Sequence, residues 1–507
     1  MINNPVLLTS LIFIPIVCGF VGCIYPKPFY KIGFGVLFIY AILSLKGYLN
    51  GYEYSYKLIN NDGIPLSFDS YSLPLIFGSA IVIMITFILK NKYFSHYFYQ
   101  ISLVLFSALL ISFISKDLIS LYIALELTGF CAFLLVADRN DYKSLFNSFQ
   151  YLIGGGLAML IYLIGVIQAF TYTGTFLLED LIGAPSTALC LISAGLLTKA
   201  GIFLCGVWVP NIYSHANPQS SAILSGCVTC AAVAPLSRMS VTLTPIENSL
   251  IIIGILSSIV GAIFALLEND NGRTLGWSSV SQLGIAILSP SYGCLYAMQH
   301  GICKSILFLT LNKNEKESKI YSANSNEVSL DEQDFEELIR IISFVIAGLS
   351  ISGLPFLSGY ITKSLIKNDL PKEALLIFNS GALLTSVVYV KLIFSRLKNF
   401  NIKFVFNNLF KYLNSKFLKN LKPTNITLTF SCLSLFGFSI IQSKYYSFEK
   451  VQMSVVTIIL GFVFYLAFMG LESNSNNTSV RKTIDIIGAP FVIAALLLAN
   501  LTYLKIL

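Results

Sequence analysis

Runs of mainly apolar residues, each near the ~20 residues a helix needs to cross a bilayer, recur from one end of this 507-residue chain to the other. They fall near 5–24, 29–47, 73–90, 97–115, 117–137, 149–171, 187–208, 219–240, 249–267, 274–289, 292–312, 338–366, 373–395, 425–441, 452–471 and 483–504. Their length and continuity favour helices over the short alternating strands of a barrel. Allowing for short and broken runs, the expected fold is all-α and integral to the membrane, with about 14 transmembrane helices. Only 11% of the residues are charged, where a soluble chain carries about 25%. A mean hydropathy of +0.76 leaves little room for a soluble domain.

The first run does not read as a secretory signal, because no basic residue precedes it and no small-residue cleavage site closes it cleanly. Residues 1–26 hold no Lys or Arg, whereas Lys27, Lys31, Lys90, Lys92, Arg139 and Lys143 fall in alternate loops. That bias predicts an amino terminus outside the cytoplasm. Loop residues facing anionic headgroups explain the net charge of +8 without a nucleic acid partner. Three polar segments interrupt the runs: 48–72, read as a loop; 313–337, mixed in charge; and 397–424, either a surface amphipathic helix or a solvated connector. Most of the ten cysteines lie in apolar runs, where Cys acts as a small hydrophobe. Cys227 and Cys230 have C-x-x-C spacing but no second Cys or His pair, so no metal site is expected.

Charges inside spans carry more information. An ionised group at the bilayer centre costs about 2.5–3.5 kcal/mol on insertion scales. Glu126 lies in LISLYIALELTGFCAFLLVA, Lys199 in TALCLISAGLLTKAGIFLCGVW, Lys304 in YAMQHGICKSILFL and Lys363 in GLPFLSGYITKSLI. The bland alternative at each is a structural ion pair or a lysine snorkelling to the interface, and it is strongest for Lys363, near a polar end. The chemistry also fits a proton or cation relay. Burial disfavours the charged form of either group and a nearby opposite charge restores it, so a lysine beside a mobile carboxylate can take up and release a proton. His300, one helical turn from Lys304, titrates near neutrality in water; its alternative is a helix histidine bonded to a neighbour. Asp117, Lys116, Arg238, Glu268, Arg273 and Lys391 lie at run ends and read mostly as interface anchors.

Two runs are interrupted. Lys199 is followed by Gly201, Gly206 and Pro210, and Lys363 is preceded by Gly353, Pro355 and Gly359. Paired Gly/Pro-interrupted segments point to broken helices at a transport site; the alternative is kinked helices without a transport role.

Several stretches together carry a family resemblance: Ser115–Ile119 followed by Glu126; Tyr151 to Gly174; Lys199 with Trp208, Pro210 and Ser221–Gly226; Leu275–Gly284; His300–Leu309; and Gly353 through Gly359 to Lys363. Across roughly 66–396 the chain resembles the antiporter-like subunits shared by Mrp-type cation/proton antiporters and the membrane arm of respiratory Complex I. The resemblance implies two inverted five-helix repeats with discontinuous helices. It implies N-terminal helices over 1–96, one repeat over 97–240, a second over 249–396, and a connector with C-terminal helices over 397–507. It also implies that Glu126 and Lys199 form a switching pair, with Lys304 and Lys363 continuing the path. Where the family often carries Pro and His between the Lys and the Trp, this chain has Leu204 and Gly206, nearer to the D-type Mrp subunit. The family's eighth-helix Lys falls on Cys230, whose thiol is a poor substitute for an ammonium.

These readings make the chain an ion-translocating subunit of a multisubunit Na+ (or other monovalent cation)/proton antiporter in a bacterial plasma membrane, with other membrane subunits as partners. The alternatives are a proton-pumping subunit of a Complex I-like NADH/quinone oxidoreductase, a scaffold that has lost transport, and an unrelated solute transporter. The sequence holds no flavin, Fe–S or nucleotide motif, so no cofactor and no redox chemistry of its own are expected.

Overall fold

The computed structural model describes residues 5–58, 63–89, 97–311, 330–397, 423–441 and 446–472. Helices α1 (Pro5–Ile24) and α2 (Pro26–Leu49) lead into an antiparallel hairpin of β1 (Tyr54–Leu58) and β2 (Ile64–Phe68). Then come α3 (Ser72–Ile88), α4 (Phe98–Ile114), α5 (Leu118–Val136), α6 (Tyr142–Thr173), α7 (Ser186–Ala200), α8 (Trp208–His215), α9 (Pro218–Ile223) and α10 (Val233–Thr242). The chain continues through α11 (Thr244–Leu267), α12 (Asn271–Ala286), α13 (Gly293–Thr310), α14 (Leu330–Ser352), α15 (Ser358–Asp369), α16 (Lys372–Leu397), α17 (Pro423–Ile441) and α18 (Phe448–Glu472). Almost all of the 397–424 connector, residues 312–329 of the charged segment and the run at 483–504 lie outside the described residues.

Among the described residues, seven helical segments are long and apolar enough to cross a membrane, and shorter apolar helices accompany them. The departure from helix falls in 48–72, where the hairpin sets Tyr54 opposite Phe68 and Lys57 opposite Pro65. Its first strand alternates half-buried and exposed residues, the pattern of a ribbon lying on a surface. The hairpin covers one end of the bundle. Leu66 bridges Ser115 at the end of α4, and Lys116 donates to Pro65 O at 3.1 Å.

Helix ends follow local chemistry. Asp117, Asp141 and Asp270 cap α5, α6 and α12 by accepting backbone N–H groups, and Gly174 closes α6 in the left-handed region. Buried serines and threonines mostly donate to carbonyls of their own helix, as Thr128 does to Ala124 O at 2.7 Å. That satisfies the hydroxyl where no water is at hand.

The helices α4, α5, α6, α7–α8 and α9–α10 are followed by α11, α12, α13, α14–α15 and α16 in the opposite sense. Helix α4 ends at the hairpin, and α11 starts there, directly after α10, whose Arg238 reaches Asp69 in the turn between β2 and α3. In each set the fourth helix is broken. The apolar window of Pro218–Thr242 is wholly buried, whereas that of α2 is only 28% buried and that of α6 33%. The protein's centre is therefore α9–α10, with the two broken helices on either side of it in the chain.

Candidate functional site

The first break comes at Gly201, left-handed at φ 68. Helix α7 stops inside the protein, and its last turn carries Lys199, which is 7% exposed. Helix C-termini present unpaired carbonyls that favour a cation. The Lys199 ammonium lies 3.5 Å from the Glu126 carboxylate on α5. Small residues make room for it: a Cβ at Gly129 would stand 2.8 Å from Nζ, and one at Gly155 3.3 Å. The Glu126 side chain is 36% exposed, between Ile123 and Phe130, which are exposed by half or more. One edge of the pair is thus buried and the other opens onto the apolar flank of the bundle. Gly206 folds the chain back so closely that a Cβ there would meet Gly201 O at 2.1 Å. Pro210, in α8, packs under Gly276 of α12.

The second break has the same character. Gly353 (φ 95) and Phe356 (φ 70) turn the chain between α14 and α15, with Pro355 buried between them. Gly359 lets the two halves overlap, since a Cβ there would stand 1.8 Å from Ser350 O. Lys363, on α15 and 6% exposed, reaches back to Ser352 O at the end of α14 (3.4 Å) and to Thr385 Oγ1 on α16 (3.3 Å). Both lysines therefore sit at the carboxyl end of a half-helix.

Lys304, on α13, is fully enclosed. Its ammonium donates to Leu275 O at 2.7 Å and to Ser278 Oγ, and lies 5.6 Å from the centre of the Tyr389 ring. Among the described residues no carboxylate pairs with it. His300, one turn away, is 1% exposed, and neither ring nitrogen has a hydrogen-bond partner among the described residues.

Lys304 and Lys363 are linked by groups that sequence reading passed over. Ser278 Oγ, bonded to Lys304, is 3.2 Å from Tyr389 Oη. Tyr389 and Thr385 stand one turn apart on α16, and Thr385 meets Lys363. The geometry thus brings Glu126 and Lys199 into one pair and Lys304 and Lys363 onto one polar track. The signal in the sequence was the Ser278-Ser279 pair inside an otherwise span-like segment.

Four run-end charges differ from their expected role as interface anchors. Arg238 is 6% exposed and grips Asp69 at 3.0 Å, with Tyr71 beneath it. Glu268 and Arg273 form a buried pair at 2.8 Å, and Arg273 also reaches Asn211. Lys391 donates to Leu266 O and Glu268 O. Each charge found a protein partner at a turn: Arg238 between β2 and α3, and the other three between α11 and α12. Cys227 and Cys230 point apart, toward Ser79 O on α3 (3.8 Å) and Ala297 O on α13 (3.6 Å).

The transmembrane family described as NADH:quinone oxidoreductase/Mrp antiporter matches residues 115–388, more than half of the chain. Subunit 5 of the chloroplastic NAD(P)H-quinone oxidoreductase of Drimys granadensis is 26% identical over 355 residues, covering 63% of this chain and 47% of that protein. Subunit N of the NADH-quinone oxidoreductase of Desulforudis audaxviator is 28% identical over 295 residues, 52% of this chain and 57% of that one. The chain spans about half the length of these curated relatives. Among solved structures, a chain of the Mrp complex from Dietzia sp. DQ12-45-1b superposes with a TM-score of 0.65 at 17% identity, covering 92% of this chain and 96% of that chain. A chain of respiratory complex I from Thermus thermophilus gives a TM-score of 0.66 at 17% identity, covering 86% and 97%. These two share the fold. With the family match running from the end of α4 into α16 and so across both broken helices, the chain is an integral membrane protein that belongs to the NADH:quinone oxidoreductase/Mrp antiporter transmembrane family.

Proposed function

We propose that this chain is the ion-translocating membrane subunit of a multisubunit monovalent cation (Na+)/proton antiporter, moving protons through Glu126, Lys199, His300, Lys304 and Lys363. The observation that carries the reading is the pair of lysines at the two helix breaks, one held by a carboxylate and the other joined to a third lysine through hydroxyls. Residues 97–240 supply one half of the path and 249–396 the other. When Glu126 approaches, the Lys199 ammonium is stabilised; when it withdraws, the desolvated ammonium gives up its proton toward the centre. Lys363, bonded among the described residues to a carbonyl and a hydroxyl, passes the proton on toward the hairpin end, where α15 finishes.

The open edge of Glu126 favours a membrane partner. A carboxylate facing lipid is costly, so another subunit's helix covers that flank of α5. In the sequence, Lys27, Lys31, Lys90, Lys92, Arg139 and Lys143 follow α1, α3 and α5, and this bias supports a bacterial plasma-membrane orientation with the start of α1 outside the cytoplasm. A proton-pumping role in a Complex I-like oxidoreductase is the second reading, favoured by the names of the curated relatives.

The test uses the complex purified with its partner subunits and sealed in liposomes, with interior pH followed after imposing a Na+ gradient or a membrane potential. Glu126→Gln and Lys199→Ala should each abolish proton movement while assembly survives. Flux at the wild-type level in both would remove the transport role, and flux that ignores Na+ but answers to the potential would favour the second reading.

A further inference from the structure

The two breaks are gripped from different places. At the first, a partner comes from the same five-helix set: the Trp208 indole N–H, at the start of α8, donates to Thr198 O in the last turn of α7 at 3.2 Å. At the second, a partner comes from outside both sets. Tyr446 stands between α17 and α18, and its phenol oxygen accepts the Phe356 backbone N–H at 3.0 Å. The same oxygen lies 2.5 Å from Ser439 Oγ, near the end of α17. The Tyr446 ring stacks on Tyr360 in the first turn of α15, with centroids 4.9 Å apart and planes at 25°, and more loosely on Phe356 (5.9 Å, 21°). One turn further on, the Lys450 ammonium donates to Asn368 Oδ1, in the last turn of α15, at 2.9 Å. The α17–α18 pair therefore holds both ends of the half-helix that carries Lys363.

The turn at the break needs such a hold. Among the described residues Phe356 is the one non-glycine in the left-handed region, at φ 70. A side chain makes that conformation costly, so it persists where the surroundings over-determine it, and such residues cluster at functional sites. The Phe356 side chain is 70% exposed, so its own burial does little to fix the turn. The bond through its N–H does more, because an amide left unpaired in an apolar setting carries a further penalty. The geometry of this turn reaches Lys363 directly. The lysine stem passes Gly353, with Cδ 3.4 Å from where a Cβ would be, and the ammonium reaches back across the break to Ser352 O at 3.4 Å. Its other bond, to Thr385 Oγ1 on α16, is 3.3 Å. Both are longer than the usual ~2.7–3.2 Å, so a small movement of α15 against α14 undoes them.

We propose that Tyr446 is a positioning residue for Lys363. By bonding the Phe356 N–H and stacking on Tyr360 it holds α15 against α14, so that the lysine ammonium stays between Ser352 O and Thr385 Oγ1, on the track that leads from Lys304. The C-terminal helix pair thereby sets the second half of the path without itself handling the proton. The proposal rests on the transport reading above and adds a residue that acts on it through Lys363.

The experiment uses the same reconstituted complex. Tyr446→Phe keeps the ring and its stacking and removes the oxygen that accepts the Phe356 N–H. It should lower proton flux about fivefold, the factor that matches one net hydrogen bond, with co-purification intact. Amide exchange in a peptide spanning Gly353–Phe356 should speed up. The pH of half-maximal flux should move by about half a unit, because the bonds of the titrating lysine change. Ser439→Ala, which withdraws the phenol's other partner, should move both flux and pH profile the same way by less. Lys363→Ala should abolish flux. Wild-type flux in Tyr446→Phe, with Lys363→Ala inactive, would overturn the positioning role and leave the transport reading standing; wild-type flux in Lys363→Ala would sink both. Lower flux with an unaltered pH profile would mean general loosening of the fold and would also overturn it. Should Tyr446→Phe fail to assemble, Ser439→Ala decides by the same two readouts.

Discussion

Lys199 and Glu126 meet at 3.5 Å with the ammonium enclosed and the carboxylate partly open. Lys199→Arg separates an electrostatic role from a protonation role, because arginine keeps its charge throughout the accessible pH range. The expected outcome is an assembled complex that no longer moves protons in the liposome assay; full activity would show that the site works as a fixed charge. The acidic and basic members of the path were legible because a charge in an apolar run stands out. The hydroxyls were not. Thr198 and Ser258 satisfy themselves on their own helices, whereas Ser278, Thr385 and Ser225 reach across, and nothing in a single sequence separates the two kinds. Arg238, Glu268, Arg273 and Lys391 were misjudged for a similar reason: at a run end, a charge facing a headgroup and one gripping a neighbouring turn have the same local sequence.

At the scale of elements, the breaks and the hairpin do the positioning. Gly359 carries the overlap of α14 and α15, and the neighbouring atom is backbone, which cannot move aside cheaply. Gly359→Ala should therefore destabilise the protein by about 1–3 kcal/mol or more, read as a lower melting temperature; an unchanged melt would mean the two halves are not held this close. The hairpin is stapled by Asp69, which bonds Arg238 through both oxygens and accepts from the Ser72 N–H. Burial alone would raise the Asp69 carboxyl, but the guanidinium and these hydrogen bonds outweigh it and hold the group below its ordinary value. A carboxyl lowered on folding contributes stability that is complete above its unfolded value, about 3.9, and is lost as pH falls through the folded value. Protection of the hairpin amides in hydrogen exchange should be level near neutrality and fall off below about pH 4. Asp69→Asn should remove that acid-side step and cost about 3–5 kcal/mol at neutral pH, because Arg238 is left buried without its partner. Hairpin protection that does not change with acid would contradict the staple. The breaks were readable as Gly and Pro inside apolar runs. The hairpin was hidden because each strand spans only five residues and only the first of them alternates.

The middle of the described molecule holds two five-helix sets of opposite sense, each with a half-helix ending on or against a lysine, joined through an enclosed segment. Lys304 lies against α12 and α16: its ammonium bonds Leu275 O and Ser278 Oγ, and the Ser278–Tyr389–Thr385 track leads from it to Lys363. The architecture was legible from span-length runs and two interruptions, while the linkage between the halves depends on helix packing that no local pattern encodes. If protons cross the protein by one continuous route, they pass Lys304. Lys304→Met keeps the side-chain length and removes the titratable group. In sealed liposomes containing the complex, this variant should assemble, melt near the wild-type temperature and show no proton movement under either a Na+ gradient or a membrane potential. Wild-type flux in Lys304→Met would mean that the two halves are not joined through this lysine.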